Sequence, residues 1–132
     1  MKTNKILIPI STGELLDKIS ILKIKLEKIK DEEKIKLVKH EFVELEIELK
    51  KLNLDESIIL KELFEKIMEV NKTLWDIEDN IRLKESQKSF DDEFIELARA
   101  VYYNNDKRSI YKNEINKLTN SFIFEVKGYN PY

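Results

Sequence analysis

Of the 24 basic side chains in this 132-residue sequence only three are arginine, Arg82, Arg99 and Arg108, and they share one 27-residue segment. A guanidinium presents a planar fork that grips a carboxylate or phosphate through two parallel hydrogen bonds, which an ammonium cannot do. Their confinement therefore points to a place where anion geometry matters. Two stripes at helical spacing surround them: Asn71, Trp75, Glu78 and Arg82 follow steps of 4, 3 and 4, and Glu96, Arg99, Tyr103 and Asp106 follow 3, 4 and 3. In a hairpin turning at Lys88, Glu78 would meet Arg99, and Arg82 would meet Glu96 or Asp92. Closed inside a helix interface, such a network only sets register. Around a concavity, arginine would hold a phosphate, Trp75 or Tyr102 would stack a ring, and a carboxylate would bind Mg²⁺ or act as a base. The candidate ligand-binding set is Trp75, Glu78, Asp79, Arg82, Glu96, Arg99, Tyr102, Asn105, Asp106 and Arg108.

Other chemistries lack their parts. His40 is the one histidine and falls off the apolar seam of its helix, as a solvated surface residue does. Without cysteine there is no disulfide, thiolate nucleophile or thiolate metal site. Two glycines cannot build a phosphate-cradling loop, and no serine has an evident base. Glu41-x-x-Glu44 and Asp76-x-x-Asp79 imitate the paired acids with which all-α nucleotide pyrophosphatases hold Mg²⁺. Such spacings arise freely among 26 acids, however, and Asp76 points away from the Leu74/Ile77 seam. We expect no metal site and identify no catalytic residue or cofactor. A net charge of −2 gives no general pull on nucleic acid. The apolar run Ile6 to Ile10 is too short for a signal-peptide core, and far short of the ~20 residues that span a bilayer. The expectation is a cytoplasmic protein without nucleic-acid or membrane contact.

The elements that must position these residues read as long helices with little punctuation. Residues 5–10 suggest a short strand, after which Ser11 with Glu14 has capping-box spacing and starts a helix at Thr12. Its seam Leu15, Ile19, Leu22, Leu26 and Ile29 is flanked by Leu16, Ile21 and Ile24, so this helix should bury more than one face. A second helix follows Asp31-Glu32-Glu33, with Ile35, Val38, Phe42, Leu45, Leu49 and Leu52 on its seam, and Asn53 to Asp55 make a turn. A third runs from Glu56 to about Ser86. Ser89 with Asp92 offers a cap for a fourth, whose seam turns polar at Asn104 and Arg108. A kink or brief interruption is expected at Asn104 to Asp106, because Asn and Asp favour caps and turns. Phe122, Phe124 and Val126 alternate with period two, as in a closing strand. The fold expected for residues 1–132 is a single, mainly α domain. It comprises an antiparallel bundle of about four helices and a small two-stranded β ribbon made by the two termini.

Several blocks together resemble a small bacterial family, a domain of unknown function also seen in marine phages. They are Ile10–Leu22 (ISTGELLDKISIL), Leu74–Arg82 (LWDIEDNIR), Phe94–Tyr102 (FIELARAVY), Asn105–Arg108 (NDKR) and Glu125–Tyr129 (EVKGY). The likeness spans nearly the whole chain and is weakest over about residues 31–70. It implies that Gly13, Glu14, Asp17, Lys18, Trp75, Glu78, Asp79, Arg82, Glu96, Arg99, Tyr102, Asn105, Asp106 and Arg108 form a signature, with no roles attached. The chain departs from the family at Gly128, where a serine often precedes the final tyrosine. The resemblance also implies a setting among glycosyltransferase and surface-polysaccharide genes.

Two functions follow. One is an α-helical interaction or accessory module, self-associating through the extra apolar flank of the first helix or engaging a protein partner, and assisting surface-glycan assembly. The alternative is a binding protein or enzyme acting on an anionic small molecule: a nucleotide, nucleotide sugar or sugar phosphate held by the Arg/acid/aromatic set. The two separate on whether the arginine stripe lies closed between helices or open around a pocket.

Overall fold

A computed structural model describes residues 2–132. Four helices follow one another: α1 (Thr12–Lys28), α2 (Glu32–Lys51), α3 (Ile58–Ser86) and α4 (Asp92–Leu118). Each starts on a side chain that accepts an otherwise orphaned N–H: Ser11 takes Glu14 N, Asp31 takes Lys34 N, Ser57 takes Leu60 N and Asp91 takes Phe94 N. The first start and the end of α3 lie where the spacing puts them. Asp31-Glu32-Glu33 likewise opens α2, whereas α3 begins two residues after Glu56 and Asp91 rather than Ser89 opens α4. Ser89 Oγ instead donates to Asp91 Oδ2 at 3.1 Å.

With so little glycine, other residues take the left-handed turns. Lys88 (φ 54°) and Asn120 (φ 53°) follow α3 and α4, where Ser89 N and Ser121 N reach back to the carbonyls of Lys84 and Asn116. This is the six-to-one bond of a Schellman ending.

Helix α1 is the centre of the bundle. It packs against α2, α3 and α4, α3 also packs along α4, and α2 touches only α1. This explains the second apolar flank: Leu16 and Ile24 are buried along with Leu15, Ile19 and Leu22 because α1 has neighbours on three sides. Leu16, Leu60, Leu63, Ile67 and Ile115 form the core, with Leu49, Leu54, Phe64 and Tyr111 packed on it. Helix α2 buries only Val38. Helices α3 and α4, at 29 and 27 residues, outrun the 17 of α1. Accordingly, no residue from Glu78 to Tyr111 is buried.

The expected β ribbon is absent: among the described residues there is no strand. Residues 2–10 lack regular structure, and Ile6 is 82% exposed. The period-two pattern at Phe122, Phe124 and Val126 marks no strand because these residues face outward while Ser121, Ile123 and Glu125 turn toward α4; Phe122 and Val126 are 93% and 89% exposed. A side chain supplies the pairing that a neighbouring strand would have given. Asn113 Oδ1 accepts from Glu125 N at 3.1 Å, and Asn113 Nδ2 donates to Glu125 O at 2.9 Å. Residues 119–132 thus form an extended tail that runs back along α4.

The expected break at Asn104 to Asp106 is also absent, and α4 is continuous. Asn104 Nδ2 returns to Ala100 O at 2.8 Å, and the seam turns polar because its partner on α1 is polar.

Candidate functional site

That partner is Asp17. Gly13, Asp17, Ser20 and Ile24 recur at steps of 4, 3 and 4, and all are buried. Facing them, α4 carries Asn105, Arg108, Lys112 and Asn116. Arg108 Nε donates to Asp17 Oδ1 at 2.9 Å and Nη2 donates to Oδ2 at 2.5 Å, a bidentate grip on a carboxylate with no exposure. Asn71 Nδ2 donates to the same Oδ1 at 2.8 Å and lies 2.7 Å from Ser20 Oγ. The hydrogen bonds from Asp17, aided by its charge and those of Glu14 and Glu125, hold the Arg108 pKa above the ordinary arginine range against burial.

One turn on, Lys112 Nζ lies 2.6 Å from Glu14, 3.0 Å from Glu125 and 4.0 Å from Asp17. Glu14 therefore pairs with Lys112, whereas the capping-box spacing assigns it to the helix start. Burial works to lower the Lys112 pKa, but hydrogen bonds to Glu14 and Glu125 and the charges of Asp17 and Glu14 raise it overall. At the end of the line Asn116 Oδ1 accepts from Gly13 N at 2.6 Å, and Ser121 Oγ accepts from Thr12 N at 3.1 Å. The first three N–H groups of α1 are thus all satisfied by side chains. Gly13 is required because a Cβ there would run into the Lys112 carbonyl and Asn116 Oδ1.

A groove of about 420 Å³ opens beside Arg108. Six of the ten candidates line it: Trp75, Glu78, Asp79 and Arg82 from α3, and Asn105 and Arg108 from α4. Ile21, Ile24 and Leu74 supply apolar wall, and Asn71 lies at the base. The Arg108 side chain is 26% exposed, and Nη1 also donates to Asn105 Oδ1 at 3.3 Å. Three of its five N–H donors are engaged and two remain. Arg82 is 79% exposed and pairs with Glu78 of its own helix at 3.1 Å.

The remaining candidates lie elsewhere. Tyr102 and Asp106, together with Asn105, line a second cavity of about 840 Å³ beneath the tail. Glu96 and Arg99 line neither; they pair with each other at 3.0 Å, and Arg99 also lies over the Tyr103 ring. The expected crossings of Glu78 with Arg99 and of Arg82 with Glu96 or Asp92 do not form, because each arginine finds an acid three or four residues away on its own helix. What joins the hairpin is Lys84, 2.9 Å from Asp91 and 3.0 Å from Glu93. Its hydrogen bond to Asp91 pulls that carboxyl down to about 2, with help from Phe94 N. His40 is on the surface. Among the described residues no three of His, Asp and Glu gather as metal ligands, and Glu44 pairs with Lys5.

Asp17, Asn71, Lys112 and Asn116 were outside the candidate set. Their signal was present as the polar stripe through the doubly apolar α1, as Asn71 at the head of the α3 stripe, and as the run continuing past Arg108 on α4.

The fold and groove define an all-helical protein with an ion-paired spine and an arginine-based concavity; among the described residues no helix is long and apolar enough to cross a membrane. The family described as "Family of unknown function (DUF6165)" matches residues 6–132, and the chain belongs to it. No curated protein and no solved structure matches.

Proposed function

We propose that this protein binds a small phosphate-bearing molecule in the groove between α1, α3 and α4. The observation that carries the reading is Arg108: a guanidinium locked by a buried carboxylate, with two donors left over, beside Trp75 in an open concavity. A fixed guanidinium loses little entropy on meeting a phosphate. Arg82 supplies a second charge at the rim, and Trp75 a face for a ring. Glu78 and Asp79 favour a ligand that also carries hydroxyl or amino donors.

The interaction-module reading rested on the extra flank of α1. Leu16 and Ile24 are 6% and 1% exposed within the chain's own fold, and Ile21, partly buried, lies on the groove wall. The bacterial or phage origin and surface-glycan setting implied by the resemblance, with the cytoplasmic location expected from composition, make nucleotide sugars and sugar phosphates the first ligands to try.

Thermal-shift titration of the purified protein against nucleotides, sugar phosphates and nucleotide sugars tests the proposal. A ligand at 100 times its Kd adds about 2.7 kcal/mol to folding stability. Trp75→Ala and Arg82→Ala should each weaken binding at least about tenfold, or 1.4 kcal/mol, while leaving the unliganded Tm nearly unchanged. A flat response to all ligands at millimolar concentration would overturn it.

A further inference from the structure

The groove and the cavity beneath the tail meet at Asn105, which lines both. On the groove side its Oδ1 accepts from Arg108. On the tail side its carbonyl accepts from Lys127 Nζ at 3.4 Å, and the same ammonium lies 3.5 Å from Asp106. Asn105 is thus flanked by two cations, neither of which has all its donors filled. Beyond Arg108 stands the indole of Trp75. Beyond Lys127 stand tyrosines: Tyr102 packs edge-on to Tyr132 with ring centroids 5.3 Å apart, Tyr132 donates to Asp106, and Tyr129 is 82% exposed. Along this surface the order is indole, guanidinium, ammonium, tyrosine cluster. Polar groups of Asn105, Asp106 and Asn130 line the tail-side cavity, where a ring bearing hydroxyls would find partners.

We infer that the ligand is a diphosphate joining two rings, one against Trp75 and the second, a hydroxylated ring, in the cavity beneath the tail. The inference rests on the proposed groove site and specifies its substrate class. A diphosphate laid past Asn105 brings a phosphoryl group toward each cation, which a monophosphate confined to the groove does not. The second ring exchanges water for tyrosine faces and for the acceptors of Asp106 and Asn105.

Calorimetric titration of the whole chain with a nucleoside diphosphate and with the corresponding nucleoside diphosphate-hexose tests this. The hexose conjugate should bind at least about tenfold tighter, the scale of one ring-stacking contact. Tyr102→Ala should remove that increment and leave the nucleoside diphosphate affinity within about twofold; Tyr129→Ala, at a more exposed position, repeats the test with less demand on folding. Equal affinities for the two ligands, or a Tyr102→Ala loss shared equally by both, would overturn the inference while leaving the groove proposal intact. No binding of either ligand would overturn the groove proposal and this inference with it.

Discussion

At the scale of single residues the molecule turns on an acid with no exposed surface. A buried carboxylate without a partner is costly, so Asp17 and Arg108 stand or fall together. Arg108→Met should cost about 3 kcal/mol or more in urea denaturation, because Asp17 loses both guanidinium hydrogen bonds and keeps only Asn71 and an ammonium 4.0 Å away. Asp17→Leu combined with Arg108→Met should recover most of that loss. Equal destabilisation by the single and double variants would show that the charge pair is not what the bundle needs. Sequence spacing picked out Arg108 and the groove wall from Trp75 to Arg82, since arginine scarcity and helical steps are visible in one dimension. It missed Asp17 as a partner because the pairing joins positions 91 residues apart. It mispaired Arg82 and Arg99 because an acid within one turn of the same helix competes with any acid across the hairpin.

At the scale of elements, helix α1 is held by its N-terminus. Its three leading N–H groups bond to Ser121, Asn116 and Ser11, and Gly13 lets α4 approach closely enough for the first two. In an isolated helix glycine to alanine would gain about 1 kcal/mol. Here Gly13→Ala should instead lose about 3 kcal/mol, because the new methyl meets a backbone carbonyl that cannot swing aside. Gly128→Ala, where nothing lies within 4 Å, serves as the control and should leave the melting temperature unchanged. Helix existence was legible throughout, since unbroken apolar periodicity is a local signal. The termini were not: alternation in Phe122 to Val126 signals a strand only if a neighbouring strand pairs with it, and here the Asn113 side chain takes that place with the apolar face turned outward. The polar seam at Asn104 to Arg108 looked like a break for a related reason, since polarity on a helix face signals an end unless the opposite helix is polar too.

At the scale of the whole molecule, Lys112 ties α1, α4 and the tail through Glu14 and Glu125. Its pKa is raised above the ordinary 10.5, so the ammonium form is favoured by folding. That contribution is complete below the unfolded value and is lost as pH rises through the folded one. Stability should therefore fall from about pH 10.5 upward, and Lys112→Met should lessen the fall. An unaltered alkaline profile in denaturation midpoints would deny Lys112 this role.

The bonds that close α1 span 103 and 109 residues, from Gly13 to Asn116 and from Thr12 to Ser121. On the ribosome, the helix made first therefore waits for partners made much later. Until α4 emerges, Asp17 carries its charge on an apolar helix with no arginine to meet it. A nascent chain stalled after α3 would keep two open N–H groups at the start of α1 and a bare apolar face beside them.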